Sequence, residues 1–216
     1  LHPQLHGQRR LLLTRRDKPA GPVYESSKFG EETTMHKLIA LTVAGAIGAA
    51  VLAGPAFAEL KAGAKAPDFT APAYLAGQPF TYKLADALKK GPVVVYFFPA
   101  AHTSGCNLEA HLFSDAIDQF KAAHATVIGV TAGNLDQLAD FSKETEHCGG
   151  KFPVASDPGA KIAAQYDSKL KVPGRDWSSR ASYVIAQNGD IVHVYSNLNP
   201  NDHVKETLGA VQAMKK

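Results

Sequence analysis

Two side chains in this sequence carry thiols, Cys106 and Cys148, and they are the first candidates for covalent chemistry. A thiolate is a strong nucleophile and a metal ligand, whereas the protonated thiol behaves as a small apolar group, so its surroundings decide its use. Cys106 follows the continuous β-branched and aromatic run Val93-Val94-Val95-Tyr96-Phe97-Phe98 and falls in the first turn of a segment with helical periodicity. A helix start leaves backbone N–H groups without partners and carries the positive end of the peptide dipoles, and both favour negative charge on a nearby sulfur. Gly105 lets a substrate approach the backbone closely. A cysteine at a helix start is, on its own, more often a buried small side chain than a catalyst. An even count of cysteines is equally compatible with a permanent disulfide.

Histidine offers a second kind of chemistry. His102, Cys106 and His111 spell H-x3-C-x4-H, and His147 adjoins Cys148. With only three clustered ligands and no C-x-x-C pair, this spacing leads us to expect no metal and no other cofactor. Trp177 and Tyr195 are read as packing residues.

The elements that must position Cys106 follow from periodicity. Val93–Phe98 reads as a strand buried on both faces. The helix after it runs from about Ser104 to His124, with Leu108, Leu112, Ala116, Ile117, Phe120 and Ala123 on one side. Thr126–Val130 is the next strand. Asn134 is placed to cap a helix carrying Leu135, Leu138 and Phe141, which Gly149-Gly150 would stop just after Cys148. Phe152–Ala155 reads as a short strand, and Asp157-Pro158 as a cap with proline at the first helical position. Tyr183–Ala186 and Ile191–Tyr195 flank Asn188-Gly189, a two-residue hairpin signal. Val204, Leu208 and Val211 define a closing helix after Pro200. This alternation predicts an α/β fold, a mixed central sheet with helices on both faces, of which the thioredoxin-like sandwich is the common form with this ending.

The chain has 216 residues, 45% of them apolar and 20% charged, as in a soluble globular protein. Of its 23 basic and 20 acidic residues, seven and four precede residue 59, which leaves 16 of each in 59–216. A neutral body gives no reason to expect a nucleic-acid partner. The first methionine is Met35, followed by Lys37, an Ala/Leu/Val/Gly run over 38–54, and Ala56-Phe57-Ala58. That order reads as a secretory signal peptide over 35–58, with residues 1–34 an upstream extension or a poorly ordered tail and 59–216 one folded domain. The expected location is periplasmic or secreted, without stable membrane association.

The neighbourhood of Cys106 carries a more specific signal. Pro99-Ala100-Ala101-His102-Thr103-Ser104-Gly105-Cys106 spells P-x-x-x-T-x-x-C, and this stretch resembles the signature of the peroxiredoxins. The continuation through Glu109, Ala110 and Phe113-Ser114-Asp115 resembles the branch named after bacterioferritin comigratory protein, within the AhpC/TSA family of thioredoxin-like fold. Further matches are Gly63-x-x-Ala66-Pro67-Asp68-Phe69, Val127–Val130, Phe152-Pro153 with Ser156-Asp157-Pro158, and Arg180–Ile185. The likeness runs over about residues 61–213.

The resemblance implies a thiol peroxidase acting on hydrogen peroxide and organic hydroperoxides. It implies that Cys106 is the peroxidatic nucleophile, that Thr103 bonds the sulfur and the peroxide, that Arg180 supplies a fixed cation, and that Pro99 walls the pocket. Many members of the branch place a resolving cysteine five residues after the first, where this chain has His111. That leaves Cys148 as the resolver the resemblance implies, in a disulfide with Cys106 reduced by a thioredoxin-like donor. A buried inert thiol and a structural bridge remain open for Cys148. The expected assembly is a monomer or weak dimer. Two other functions stay in view: an exported copper carrier using His102, Cys106 and His111, and a silent scaffold with a permanent disulfide.

Overall fold

The computed structural model describes residues 59–214, all within one compact unit. The signal-peptide and upstream-extension readings lie outside the described residues.

Among the described residues seven strands form one sheet, in the order β2-β1-β5-β4-β3-β6-β7, where β5 is Val154–Ser156 and the other ranges follow below. The central strand β3 (Val93–Phe97) pairs in parallel with β4 (Thr126–Thr131) and antiparallel with β6 (Ala181–Ile185). Its five residues are all buried, as an uninterrupted apolar run requires when both faces are covered. Side-chain alternation then divides the core. Val94, Tyr96 and Phe98 pack with Phe113, Ile117 and Phe120 of α2 (Ser104–Ala122), Phe141 of α3 (Leu138–Lys143) and Val211 of α5 (His203–Ala213). Val93, Val95 and Phe97 pack on the other face with Ala163 of α4 (Lys161–Gln165), Tyr166 and Leu84 of α1 (Leu84–Leu88). Both layers are therefore anchored on one strand, which fixes where its carboxyl end, and hence Cys106, must sit.

The hairpin expected at Asn188-Gly189 is present, joining β6 to β7 (Ile191–Ser196), with Gly189 at φ 85. A second hairpin was not anticipated: β1 (Thr70–Leu75) and β2 (Gln78–Lys83) turn through Ala76 and Gly77 at φ 50 and 80. Both central residues have positive φ, the geometry of a primed turn, but Ala-Gly lacks the Asn or Asp that marks such turns in sequence.

The helix expected to reach Gly149 is shorter than its apolar pattern suggested. A 3-10 turn over Leu135–Gln137 leads into α3, which ends at Lys143, and Glu144 is extended. Asn134 makes no cap; it is left-handed, and its Nδ2 donates to Ala101 O at 2.7 Å. Cys148 thus lies in a compact turn after the helix, not at its end. That turn is closed by Gly149 N–H to Glu144 O and Gly150 N–H to Ser142 O, at 2.8 and 2.9 Å. Consecutive left-handed φ values of 59 and 68 at Gly149 and Gly150 make the reversal, a conformation that other residues adopt only with strain. Asp157 does cap a helix, but from a distance. Its carboxylate accepts from the N–H groups of Ile162 and Ala163, both at 2.9 Å, while Pro158 lies in the intervening turn before α4.

Candidate active site

Cys106 occupies the third position of α2, beside the carboxyl end of β3. The first intrahelical bond at this end runs from Asn107 N–H to Thr103 O at 2.8 Å, so the N–H groups of Ser104, Gly105 and Cys106 belong to the unpaired first turn. The sulfur is buried, with the residue 1% exposed, and the thiol is free.

The loop entering α2 is pinned from β4 and the turn that follows it. Thr131 Oγ1 donates to Pro99 O at 3.1 Å, Asn134 Nδ2 donates to Ala101 O, and Ala100 bridges to Gly133. A side chain at Gly133 would collide with that loop, since its Cβ would lie 2.5 Å from Pro99 O. The Pro99 carbonyl is thereby fixed, and its ring nitrogen contributes no N–H donor. Thr103, expected to bond the sulfur, instead donates its hydroxyl hydrogen to Ala100 O at 3.0 Å. It also makes no side-chain cap. The hydrogen is drawn to the carbonyl three residues back, and the oxygen lone pairs are left to accept.

Arg180, just before β6, is brought across the sheet to the sulfur. Its Nη2 donates to Cys106 Sγ at 3.4 Å, its Nε to Leu198 O at 2.9 Å, and its Nη1 to Glu109 Oε2 and, at 3.4 Å, to Gly105 O. Gly105 makes room for it: a Cβ there would lie 3.1 Å from Nη2. The glycine expected to admit substrate thus admits the guanidinium. Burial works against the charge of Arg180, but Glu109 and Cys106 more than offset it, and the side chain stays cationic.

Glu109, one turn after Cys106 on α2, is fully buried. Burial pushes its pKa up to about 8 against the pull of Arg180. Behind it stands His203, the first residue of α5, also fully buried. Burial brings the His203 pKa down to about 4, so the ring is neutral. Its Nε2 donates to Asn197 O at 2.9 Å, which leaves Nδ1 to accept from Ser182 Oγ at 2.8 Å. Glu109 Oε1 is 3.4 Å from the same Nδ1 and has no hydrogen bond of its own. The sequence motif contained Glu109, but nothing in the pattern indicated Ser182 or His203 as polar support for the arginine.

Cys148 is fully buried and free, and burial pushes its thiol well upward, so in this conformation it is held as S–H. Cys106, Cys148 and Tyr96 belong to the same buried cluster on one face of the sheet. The H-x3-C-x4-H set is not assembled. His111 Nε2 is 3.4 Å from Asp115, and His102 bonds Gln137 and Glu144.

The AhpC/TSA family profile matches residues 62–194. The chain is 33% identical over 164 residues to a chloroplastic peroxiredoxin Q of Sedum lineare, covering 74% of this chain and 82% of that protein. It is 32% identical over 193 residues to the Arabidopsis thaliana chloroplastic peroxiredoxin Q, covering 88% and 82%. Among solved structures, the peroxidoxin BcpB of Mycobacterium tuberculosis superposes with a TM-score of 0.65 at 27% identity, covering 73% of this chain and 99% of that one. A reduced 2-Cys peroxiredoxin of Plasmodium vivax shares the fold with a TM-score of 0.63 at 23% identity, covering 72% and 97%. A free cysteine at a helix start, held by a buried arginine on a thioredoxin-like sheet, thus comes with a family match over most of the described residues, and the chain belongs to the AhpC/TSA family, the peroxiredoxins.

Proposed function

We propose that this peroxiredoxin, a thiol peroxidase by family, reduces hydrogen peroxide and small organic hydroperoxides at Cys106 and is regenerated through a Cys106–Cys148 disulfide. The observation that carries the reading is the 3.4 Å contact from Arg180 Nη2 to Cys106 Sγ at an open helix start. The Cys106 thiolate attacks one peroxide oxygen as the O–O bond breaks. The sulfur becomes S–OH, and the leaving alkoxide or hydroxide takes up a proton to depart as alcohol or water. Arg180 and the free N–H groups of the first turn are placed to stabilise the charge that moves from sulfur to the leaving oxygen. Thr103 Oγ1, its hydrogen committed to Ala100 O, offers a lone pair to the O–H of the peroxide.

Resolution requires the Cys148 sulfur to displace hydroxide from the sulfenic acid, which leaves as water once protonated, while a disulfide forms. A buried thiol held as S–H is a poor nucleophile, so the turn carrying it must open first. A thioredoxin-type dithiol then reduces the disulfide, being itself oxidised to one. Two observations tell against the other functions: both cysteines are free, and His102 and His111 are engaged away from Cys106.

We further propose export to the periplasm or an equivalent space, supported by the residue order over 35–58. Among the described residues no helix is long and apolar enough to cross a membrane. A monomer or weak dimer is the proposed assembly. The test of function is peroxide consumption with thioredoxin and its reductase as the sole reducing system. Turnover is expected, and consumption that persists without Cys106 would reject the reading.

A further inference from the structure

Three potential ligand side chains meet beside the active-site loop, outside the peroxidatic pocket. His102 comes from that loop, Glu144 from the end of α3, and His147 from the turn carrying Cys148. One nitrogen or oxygen of each lies within 4.8 Å of the other two. His102 Nε2 is 2.8 Å from Glu144 Oε2, and His147 Nδ1 is 3.2 Å from the same oxygen.

One of the three candidate ligand atoms has no hydrogen bond. Gln137 Oε1 and Glu144 Oε2 each sit 2.8 Å from a ring nitrogen of His102, so this ring is bonded on both sides, Nδ1 to the amide and Nε2 to the carboxylate. His147 Nδ1 is buried and makes no hydrogen bond, although it faces the same carboxylate oxygen. Two imidazole nitrogens thus converge on one carboxylate oxygen, and the buried one, His147 Nδ1, is left unpaired. A divalent cation among the three would take the His147 Nδ1 lone pair, displace the His102 Nε2 hydrogen and keep the Glu144 oxygen bound.

We propose that His102 Nε2, Glu144 Oε2 and His147 Nδ1 form a binding site for one divalent transition-metal ion of the zinc class. Two imidazoles and one carboxylate are a zinc ligand set, with the fourth position left to water. Ligand atoms around a tetrahedral zinc stand about 3.3 Å apart, as follows from bond lengths of about 2.0–2.1 Å, so small rotations of these side chains admit the ion. Gln137 supplies the outer bond that orients a metal-bound imidazole. His102 is held at φ 56, a left-handed conformation unusual for a residue with a side chain, in the position that aims it at Glu144. Side-chain exposures of 28% for His102 and 37% for Glu144 leave an entry path.

The ion would tie the residue before Thr103 to the residue before Cys148. Zinc should therefore hold closed the segments that separate during disulfide formation, a consequence that rests on Cys148 being the resolver.

Chelator competition with zinc tests the site, using the full chain, a Cys106→Ser/Cys148→Ser double variant, and His102→Gln and His147→Gln. The folds of all variants are checked by circular dichroism, and cobalt(II) absorption serves as a second probe. Equal affinity in the wild type and the thiol-free variant is expected, with a loss of at least about tenfold in each histidine variant. Affinity that is unchanged in the histidine variants, or lost with the thiols, would overturn the site. Saturating zinc should also slow peroxide-driven disulfide formation about fivefold or more in the wild type and not in His147→Gln, whereas equal slowing in both would overturn the clamp separately from the site.

Discussion

Arg180 Nη2 lies 3.4 Å from Cys106 Sγ, and the same guanidinium bonds Glu109, Gly105 O and Leu198 O. The sulfur and the Glu109 carboxyl group therefore share one cation. A fixed donor aimed at developing charge is worth about a hundredfold in rate. Arg180→Ala should lower the second-order rate with hydrogen peroxide by about that factor, measured by rapid mixing, with little change in the secondary structure seen by circular dichroism. A rate within a factor of two of wild type would remove Arg180 from the mechanism.

Glu109 adds a pH dependence whose sign is fixed by burial. Its folded pKa, about 8, lies above the ordinary value of 4.5, so between those values the folded state holds a proton the unfolded state has lost. Stability from this group is complete below 4.5 and is lost as pH rises toward 8. His203 acts in the opposite direction between about 4 and 6.5, where the unfolded chain binds the extra proton. From pH 6.5 to 8 the Glu109 effect therefore stands clear of His203. Urea unfolding should show wild type losing more stability over that interval than Glu109→Gln, by on the order of 1 kcal/mol. Parallel pH profiles would mean that Glu109 is already ionised at neutral pH.

Cys148→Ser should react once with peroxide at the wild-type rate, because neither the Arg180 contact nor the helix start at Cys106 involves Cys148. It should then stall when thioredoxin is the only reductant. Sustained wild-type turnover would make this a one-cysteine peroxidase. Replacing Gly149 with alanine should strain the left-handed turn and alter the rate of disulfide formation without changing that first reaction.

Periodicity sufficed where one physical demand dominated. The run Val93–Phe98 had to be a strand with both faces covered, and Asn188-Gly189 had to turn. It failed where tertiary contacts override local pattern. Leu135, Leu138 and Phe141 predict one helix toward Gly149, but Asn134 is captured by Ala101 O, and the chain leaves the helix at Glu144. The position of Cys106 could be read from its motif, whereas the hydroxyl of Thr103 bonds Ala100 O by a choice among nearby acceptors that spacing does not encode. Ser182 and His203 were illegible for a related reason: α5 brings His203 to Glu109, and the sheet brings Ser182 to His203, from far along the chain.

The export proposal places the mature N-terminus at Glu59, after the small residues Ala56 and Ala58. N-terminal sequencing of protein recovered from the exported fraction should begin there. Chains beginning at or before Met35 in that fraction would contradict it.

The central claim is that Cys106 takes an oxygen from peroxide and passes the oxidation to Cys148. Mass spectrometry of the reduced protein after one equivalent of hydrogen peroxide, with peptide mapping without reductant, tests this in a single measurement. The expected result is loss of two hydrogens and one crosslinked Cys106–Cys148 peptide pair, replaced in Cys148→Ser by one added oxygen on the Cys106 peptide. An unmodified Cys106 with the peroxide unconsumed, or oxidation confined to Cys148, would contradict the account.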